Sequence, residues 1–343
     1  MPLEAQTLGL WPAVGLFLGC ALAILLAGTR LTRLAETTAE RTGLGQAVIG
    51  AALLGAVTSL PGIVTSVYAA WLGRTDLAIA NALGGIAAQT AFLAVADLFH
   101  RRANLEHAAA SLANLAQGVL LLVMLSIPLL AYAAPPFAIL WLSPFSVVLV
   151  TAYVLGLRQA NAVREQPMWR PTLTHETQDE AEEADEPRPL GIGHWLLLGG
   201  LAAVTALAGF LLTQSAIAIS TATGVSETAV GALMTAVVTS LPELVTTVAA
   251  VRQNALNLAV GGIIGGNAFD VLFLAFADLA YRDGPIYAAF TTQHVYLSAL
   301  GTLMTAILLL GLLARERHGI AGIGFEGALL LALYLGSVVL IAS

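Results

Sequence analysis

The chain contains no lysine, a single cysteine and few charges of either sign. Charged residues occupy 10% of 343 positions, against roughly a quarter in ordinary soluble domains. With Cys20 alone, an internal disulfide and any cysteine-built metal site are excluded. Hydrolytic signatures of membrane-embedded enzymes are missing too: there is no HExxH, no pair of GxGD-type aspartates, and no serine with a histidine at membrane depth. His175 lies in a loop, and His100, His107, His194, His294 and His318 fall near the ends of apolar runs, so the chain reads as a non-enzyme. What it has in abundance is apolar surface, 58% hydrophobic residues with a mean hydropathy of +0.85, which makes it an integral membrane protein. A spanning helix takes ~20 mostly apolar residues. The runs predict ten all-α spans: 9–29, 44–72, 77–99, 109–133, 136–157, 193–216, 225–251, 257–281, 287–314 and 319–342. Arg30 and Arg33 follow the first run and no charged leader or cleavage site accompanies it, so it is expected to be a retained helix.

Arginine supplies all fourteen positive charges, and ten spans sort them sharply. Arg30, Arg33, Arg41, Arg101, Arg102, Arg158, Arg164, Arg170, Arg188, Arg252, Arg315 and Arg317 fall on one side, with only Arg74 and Arg282 on the other. By the positive-inside rule this predicts a multi-pass protein of the plasma or inner membrane with both termini outside the cytoplasm. The net charge of −7 owes much to one loop, where seven acids run from Glu176 through Asp179–Glu186. That run reads as a solvated linker within 158–191, too short to fold alone. The expected organisation is a first five-helix unit over 1–157, the acidic cytoplasmic linker 158–191, and a second five-helix unit over 192–343. Lipid bilayer and inorganic cations are the expected partners, no nucleic acid is expected, and the oligomeric state is left open, a monomer being compatible with the sequence.

The two units are copies. At an offset of 181 residues, TGLGQAVIGAALLGAVTSLPGIVTSVYAA aligns without a gap on TGVSETAVGALMTAVVTSLPELVTTVAAV. The same register continues from LAIANALGGIAAQTAFLAVADL (77–98) to LAVGGIIGGNAFDVLFLAFADL (258–279). Five spans, an odd number, separate the copies, so they enter the membrane from opposite sides. Such inverted repeats typify secondary transporters, whose binding sites lie near the midplane where the halves meet.

The repeated segments are also the most polar parts of the spans. Pro61 and Pro242 offer no N–H to the carbonyls of Val57 and Val238, four residues earlier. In hydrocarbon such groups need partners, and a bound cation is one. Thr58, Ser59, Thr239 and Ser240 stand beside those carbonyls, so each repeat offers hard oxygen ligands at a helix break. Glu243 and Asp270 are the two acids deep within predicted spans, where a charge costs at least ~3 kcal/mol and marks function. No arginine reaches that depth, leaving a cation, a proton or backbone dipoles as their partner. Gly262, Gly266 and Asp270 share one helical face. Gly261 and Gly265 add a small-residue spacing, expected to let the helix approach closely and bring Asp270 toward Glu243. In the first copy the equivalent face is Asn81, Gly85 and Gln89, so an amide replaces Asp270, and Gly62 replaces Glu243.

These motifs, TSLPE with GGIIGGNAFD and TSLP with ANALGGIAAQ, resemble the alpha repeats of the calcium:cation antiporter superfamily, chiefly its sodium/calcium exchanger branch. The resemblance covers nearly the whole chain and implies exchange of Ca²⁺ for Na⁺ by alternating access, the first and sixth helices sliding past the other eight. It implies as cation ligands Thr58, Ser59, Thr239, Ser240, Glu243 and Asp270, with backbone carbonyls such as those of Val57 and Val238, and Gln89 in place of the usual Asn or Asp. Transported Ca²⁺ and Na⁺, or H⁺, are the only ligands implied; no cofactor is.

The chain departs from the family where a second glutamate is usual, at Gly62, and where serines are usual, at Gly85 and Gly266. Asn81 has Gly262 as its counterpart, and Asn267 has Ile86. Ca²⁺ takes six to eight oxygens and ample negative charge. Ionised Glu243 and Asp270 would just neutralise one divalent ion, whereas three Na⁺ would leave an uncompensated charge in low dielectric. Two monovalent ions per divalent ion is therefore the expected coupling, with transport of monovalent cations alone as its alternative. A cation/proton antiporter and a transport-incompetent homologue are the competing readings.

Overall fold

The computed structural model describes residues 8–42, 48–99, 104–109, 111–135, 137–169, 171–172, 174, 190–316 and 324–342. The acidic run Glu176–Glu186 lies outside them. Among the described residues there is no β-strand, only an isolated bridge between Ile139 and Leu142.

The fold is all-α, two inverted five-helix repeats. Helix α1 starts at Leu10, passes through a π-helical stretch at Ile24–Gly28 and continues to Thr42, well beyond the predicted end at 29. Helix α2 is broken into Val48–Thr58 and Leu60–Trp71. Next come α3 (Thr75–Asp97), α4 (Leu112–Ala133) and α5 (Pro144–Glu165). The second repeat comprises α6 (Ile192–Thr223), a bent α7 (Glu227–Thr239 and Leu241–Arg252), α8 (Leu256–Ala280), α9 (Thr292–Ala314) and α10 (Phe325–Ala342). Eight described helices are long and apolar enough to span a bilayer, and the α7 pair, bent by 46°, makes a ninth. The two pieces of α2 are its first-repeat counterpart.

Sequence chemistry sets the boundaries. Ser59 and Ser240 leave helical geometry at the breaks, with φ/ψ of −88°/11° and −97°/4°, and the prolines sit in the first turn of the following half-helix, where a missing N–H is harmless. The fifth span was expected over 136–157, but α5 begins at Pro144 and runs through Glu165, into the segment assigned to the linker. Apolar composition misplaced it: 134–143 is apolar yet proline-rich, and Ser143 Oγ accepts the Phe145 N–H at 3.2 Å as an N-cap, with Pro144 opening the helix.

In lipid, helices associate through close packing of small residues more than through the hydrophobic effect. Helix α3, rich in alanine and glycine, is the most enclosed of the described spans, and α8 follows. Helices α1 and α6 run side by side at the periphery, much less buried. Each crosses one helix break at a glycine. A Cβ on Gly28 would lie 2.6 Å from Pro242 Cγ, and one on Gly209 would lie 2.7 Å from the Pro61 carbonyl oxygen. Gly28 and Gly209 are themselves related by the 181-residue offset.

Candidate functional site

The breaks in α2 and α7 turn Ser59 and Ser240 toward α3 and α8. Asp270, 3% exposed, accepts Ser59 Oγ–H at 2.7 Å through Oδ1 and Gln89 Nε2–H at 2.7 Å through Oδ2. Gln89 Nε2 also donates to Ser240 Oγ at 3.0 Å. Asp270 and Gln89 are the same position of the two repeats, as are Ser59 and Ser240. The pair Ser59–Asp270 is thus mirrored by Ser240–Gln89 across the interface between halves, with one carboxylate in place of two.

Glu243, on the first turn after the second break, stands within electrostatic reach of Asp270. Its Oε2 is sealed from the surface and has no hydrogen-bond partner, and the same holds for Oε1 of Gln89. Buried polar atoms in native proteins are nearly always paired, so two orphaned acceptors in one cluster mark a place where a donor or a cation belongs. Among the described residues no three His, Cys, Asp or Glu side chains converge as a metal centre. The oxygens beyond the two acids are hydroxyls, an amide and backbone carbonyls, a hard donor set of the kind calcium and sodium accept.

The structure joins four of the residues singled out from sequence, Asp270, Ser59, Ser240 and Gln89, by hydrogen bonds, and sets Glu243 near enough to Asp270 to feel its charge. Thr58 and Thr239 sit at the breaks with their hydroxyls turned back on their own helices. Thr58 Oγ1 donates to the carbonyls of Leu54 and Gly55 at 3.0 and 3.1 Å, and Thr239 Oγ1 to that of Ala236 at 3.2 Å. Val57 and Val238 lie one residue earlier, and Pro61 and Pro242 leave their carbonyls without the usual helical donor. The small-residue stripe needs correction. A Cβ on Gly261 or Gly265 would approach Asn114 Oδ1 at 2.6 Å or Gln117 Oε1 at 3.4 Å, so these glycines admit α4 rather than α7. The opposite face does serve the site: Gly266 looks onto Gln89 Oε1 and Gly85 onto Ser240 Oγ, each at 3.6 Å for an added Cβ, ordinary contact with room for a polar atom.

Two asparagines hold the frame. Asn81 donates to the Gly62 carbonyl at 3.3 Å and to Ser66 Oγ at 3.0 Å, and accepts Thr235 Oγ1–H at 2.8 Å, tying α2, α3 and α7 together. Asn267 donates to Thr90 Oγ1 at 2.9 Å between α8 and α3. Sequence reasoning missed Gly28, Gly209, Ser66, Thr90 and Thr235. Gly28 and Gly209 could have been found by extending the 181-residue register back to the first helix.

The sodium/calcium exchanger protein model matches residues 12–158 and 192–342, both halves of the chain. CaxA of Alkalimonas amylolytica is 29% identical over 313 residues, 88% of this chain and 90% of the relative. Among solved structures, the H⁺/Ca²⁺ exchanger CAX superposes with a TM-score of 0.69 at 14% identity, covering 96% of this chain and 84% of its own. The sodium-calcium exchanger NCX_Mj gives 0.59 at 22% identity, covering 97% and 99%. The two superpositions establish the shared fold. With both repeats matched, the chain belongs to the sodium/calcium exchanger protein family, membrane-embedded cation antiporters rather than enzymes.

Proposed function

We propose that this antiporter exchanges Ca²⁺, or a divalent cation of similar hardness, for two monovalent cations by alternating access at the site built on Glu243 and Asp270. The observation that carries this reading is the pair of orphaned buried acceptors, Glu243 Oε2 and Gln89 Oε1, beside the fully buried Asp270. Two carboxylates match one divalent charge, and in low dielectric an unmatched third charge is expelled. Ser59, Ser240, Gln89, Thr58, Thr239 and the carbonyls of Val57 and Val238 complete the shell, replacing water oxygens as the ion leaves solution. Sodium is the first choice of counter-ion because hydroxyl, amide and carbonyl oxygens surround the acids, and protons compete because the same two carboxylates can bind them. Alternating access is supported by the close approach of α1 and α6 to the breaks, where Gly28 packs on Pro242 and Gly209 on Pro61 without a side chain between them. The arginine distribution puts both termini outside the cytoplasm in this reading.

The test is uptake of isotopic calcium into proteoliposomes under separately imposed Na⁺ and H⁺ gradients, with the response of the uptake to an imposed membrane potential giving the coupling, since two monovalent ions for one divalent ion move no net charge. The expected result is Na⁺-driven flux at two charges per Ca²⁺, lost in Glu243→Gln. Flux driven by protons instead assigns the counter-ion to H⁺. Calcium movement indifferent to both gradients overturns the proposal, as does a Glu243→Gln variant with unchanged flux.

A further inference from the structure

The chain's second repeat states what residue 62 could be: Glu243 occupies that position there. A Cβ built on Gly62 would lie 2.7 Å from Phe273 Cε2, 3.1 Å from its Cζ and 3.7 Å from Thr239 Oγ1. A side chain at 62 would therefore project between Thr239 and the Phe273 ring, toward the other break, and the ring already fills that space. Contacts below 3.0 Å are not found for real Cβ atoms, so even alanine requires the ring to move.

The ring is poorly placed to give way. Phe273 is 3% exposed on α8 and meets Phe269 edge-on, centroids 6.3 Å apart. Phe269 in turn packs edge-on against Tyr153 of α5 at 5.8 Å and presses on Gly55 of α2, where a Cβ would come within 2.9 Å of it. The aromatic row is thus wedged between α2 and α5. At Gly85 and Gly266, by contrast, an added Cβ meets site oxygens at ordinary distance. Of Gly62, Gly85 and Gly266, only Gly62 has its missing side chain replaced by a neighbour.

We infer that Phe273 is a specificity-determining residue: its ring stands in the place of a first-repeat carboxylate and fixes the charge of the site at Glu243 and Asp270. This rests on the reading that those two acids hold the transported cation. Its consequence is a coupling limited to two monovalent charges per divalent ion, because the third negative group that would admit a further cation is sterically excluded.

The experiment pairs substitutions at the two positions in the reconstituted full chain. Gly62→Ala should lower the thermal unfolding temperature in detergent, and Phe273→Leu added to it should recover most of the loss. A double variant no more stable than Gly62→Ala alone overturns the plug. Gly62→Glu with Phe273→Leu should then bind Ca²⁺ about tenfold or more tightly than wild type and turn a voltage-indifferent exchange into an electrogenic one at three monovalent charges per Ca²⁺. A folded Gly62→Glu/Phe273→Leu protein that keeps a coupling of two overturns the inference, as does Gly62→Glu that folds and exchanges like wild type without the partner change. Glu243→Gln separates the levels. If it abolishes Ca²⁺ binding while the double variant keeps a coupling of two, only the role of Phe273 fails; if it leaves binding intact, the site reading itself fails.

Discussion

The two repeats preserve each other's backbone and diverge in charge, in opposite senses at two depths. At the helix breaks the second repeat has Glu243 and Asp270 where the first has Gly62 and Gln89. Outside the midplane the balance reverses. Asp278 at the end of α8 accepts Ile286 N–H at 2.7 Å, Ser143 N–H at 2.8 Å and Ser146 Oγ–H at 2.7 Å, with Tyr287 Oη 3.2 Å from Ser146 Oγ. Its first-repeat counterpart Asp97 accepts Leu105 N–H at 2.8 Å, the same bond at the same offset, but its Oδ2 has no partner. There Glu106 takes the position of Tyr287, and Glu326 joins them, each 1% exposed or less and each with an orphaned oxygen. Backbone hydrogen bonds and glycine contacts are thus shared by both copies, while each copy sets its electrostatics independently. Inversion makes that useful: a transporter needs its two faces built alike and need not charge them alike.

The largest expected effect comes from treating the symmetric pair Asp270 and Gln89 as though they were equivalent. Asp270→Asn removes one of two site charges and should weaken cation binding on the order of 100-fold, about 3 kcal/mol, as for breaking a buried charge pair. Gln89→Ala keeps both charges and removes one neutral oxygen, so about tenfold or less is expected. Cation-dependent shifts in thermal unfolding measure both. Equal losses would mean that geometry, rather than charge, distinguishes the repeats at the site.

A smaller effect separates the glycines under α1 and α6. Gly209→Ala drives a methyl group into the backbone of the first break, where the Pro61 carbonyl oxygen and Cα would stand at 2.7 and 3.2 Å. Overpacking against backbone should cost ~1–3 kcal/mol and slow exchange. Gly28→Ala crowds the Pro242 ring, whose pucker can adjust, and touches Ile24 at ordinary distance, so a lesser loss is expected. Thermal stability and initial uptake rate of the two variants decide; a Gly28→Ala defect equal to or larger than that of Gly209→Ala would break the ranking.

Much of this was legible in the sequence because a repeat is its own alignment. The constant register marked the breaks, set Glu243 against Gly62 and Asp270 against Gln89, and fixed the helical topology. It was silent on the partner of an absence: the register pairs Phe273 with Phe92, an aromatic ring at the same place in both copies, and nothing in the sequence says that the Phe273 ring fills the space at Gly62. The same limit applied to Gly261 and Gly265, where spacing showed that a helix could approach but not that α4 would be the one. The hydroxyls of Thr58 and Thr239 illustrate another ambiguity. A threonine beside a helix break can face a ligand or bond back to the turn before it, and only coordinates show the second. The fifth span shifted because hydropathy cannot tell an apolar loop from an apolar helix, whereas the Ser143–Pro144 start signal can.

The smallest effect tests the other half of the comparison, the corner at Glu106. Burial first, then the neighbouring carboxylates Asp97 and Glu326, hold the Glu106 carboxyl well above the ordinary carboxylate range. The folded protein therefore keeps a proton that the unfolded chain releases above about pH 4.5. Since the native state then binds more protons than the unfolded one, stability falls as pH rises from that value toward the native one. Below it the acid costs nothing by titration. Glu106→Gln removes the titration and keeps a neutral side chain of the same shape beside Asp97 and Glu326. It should raise the unfolding temperature in detergent near neutral pH and flatten its decline above about pH 4.5, with little difference from wild type below that value. At the Asp278 corner, Ser146→Ala should do the opposite, lowering stability by about 1 kcal/mol through a lost hydrogen bond. A stabilisation in Glu106→Gln that persists unchanged at about pH 4 would show that packing, not protonation, separates the two corners.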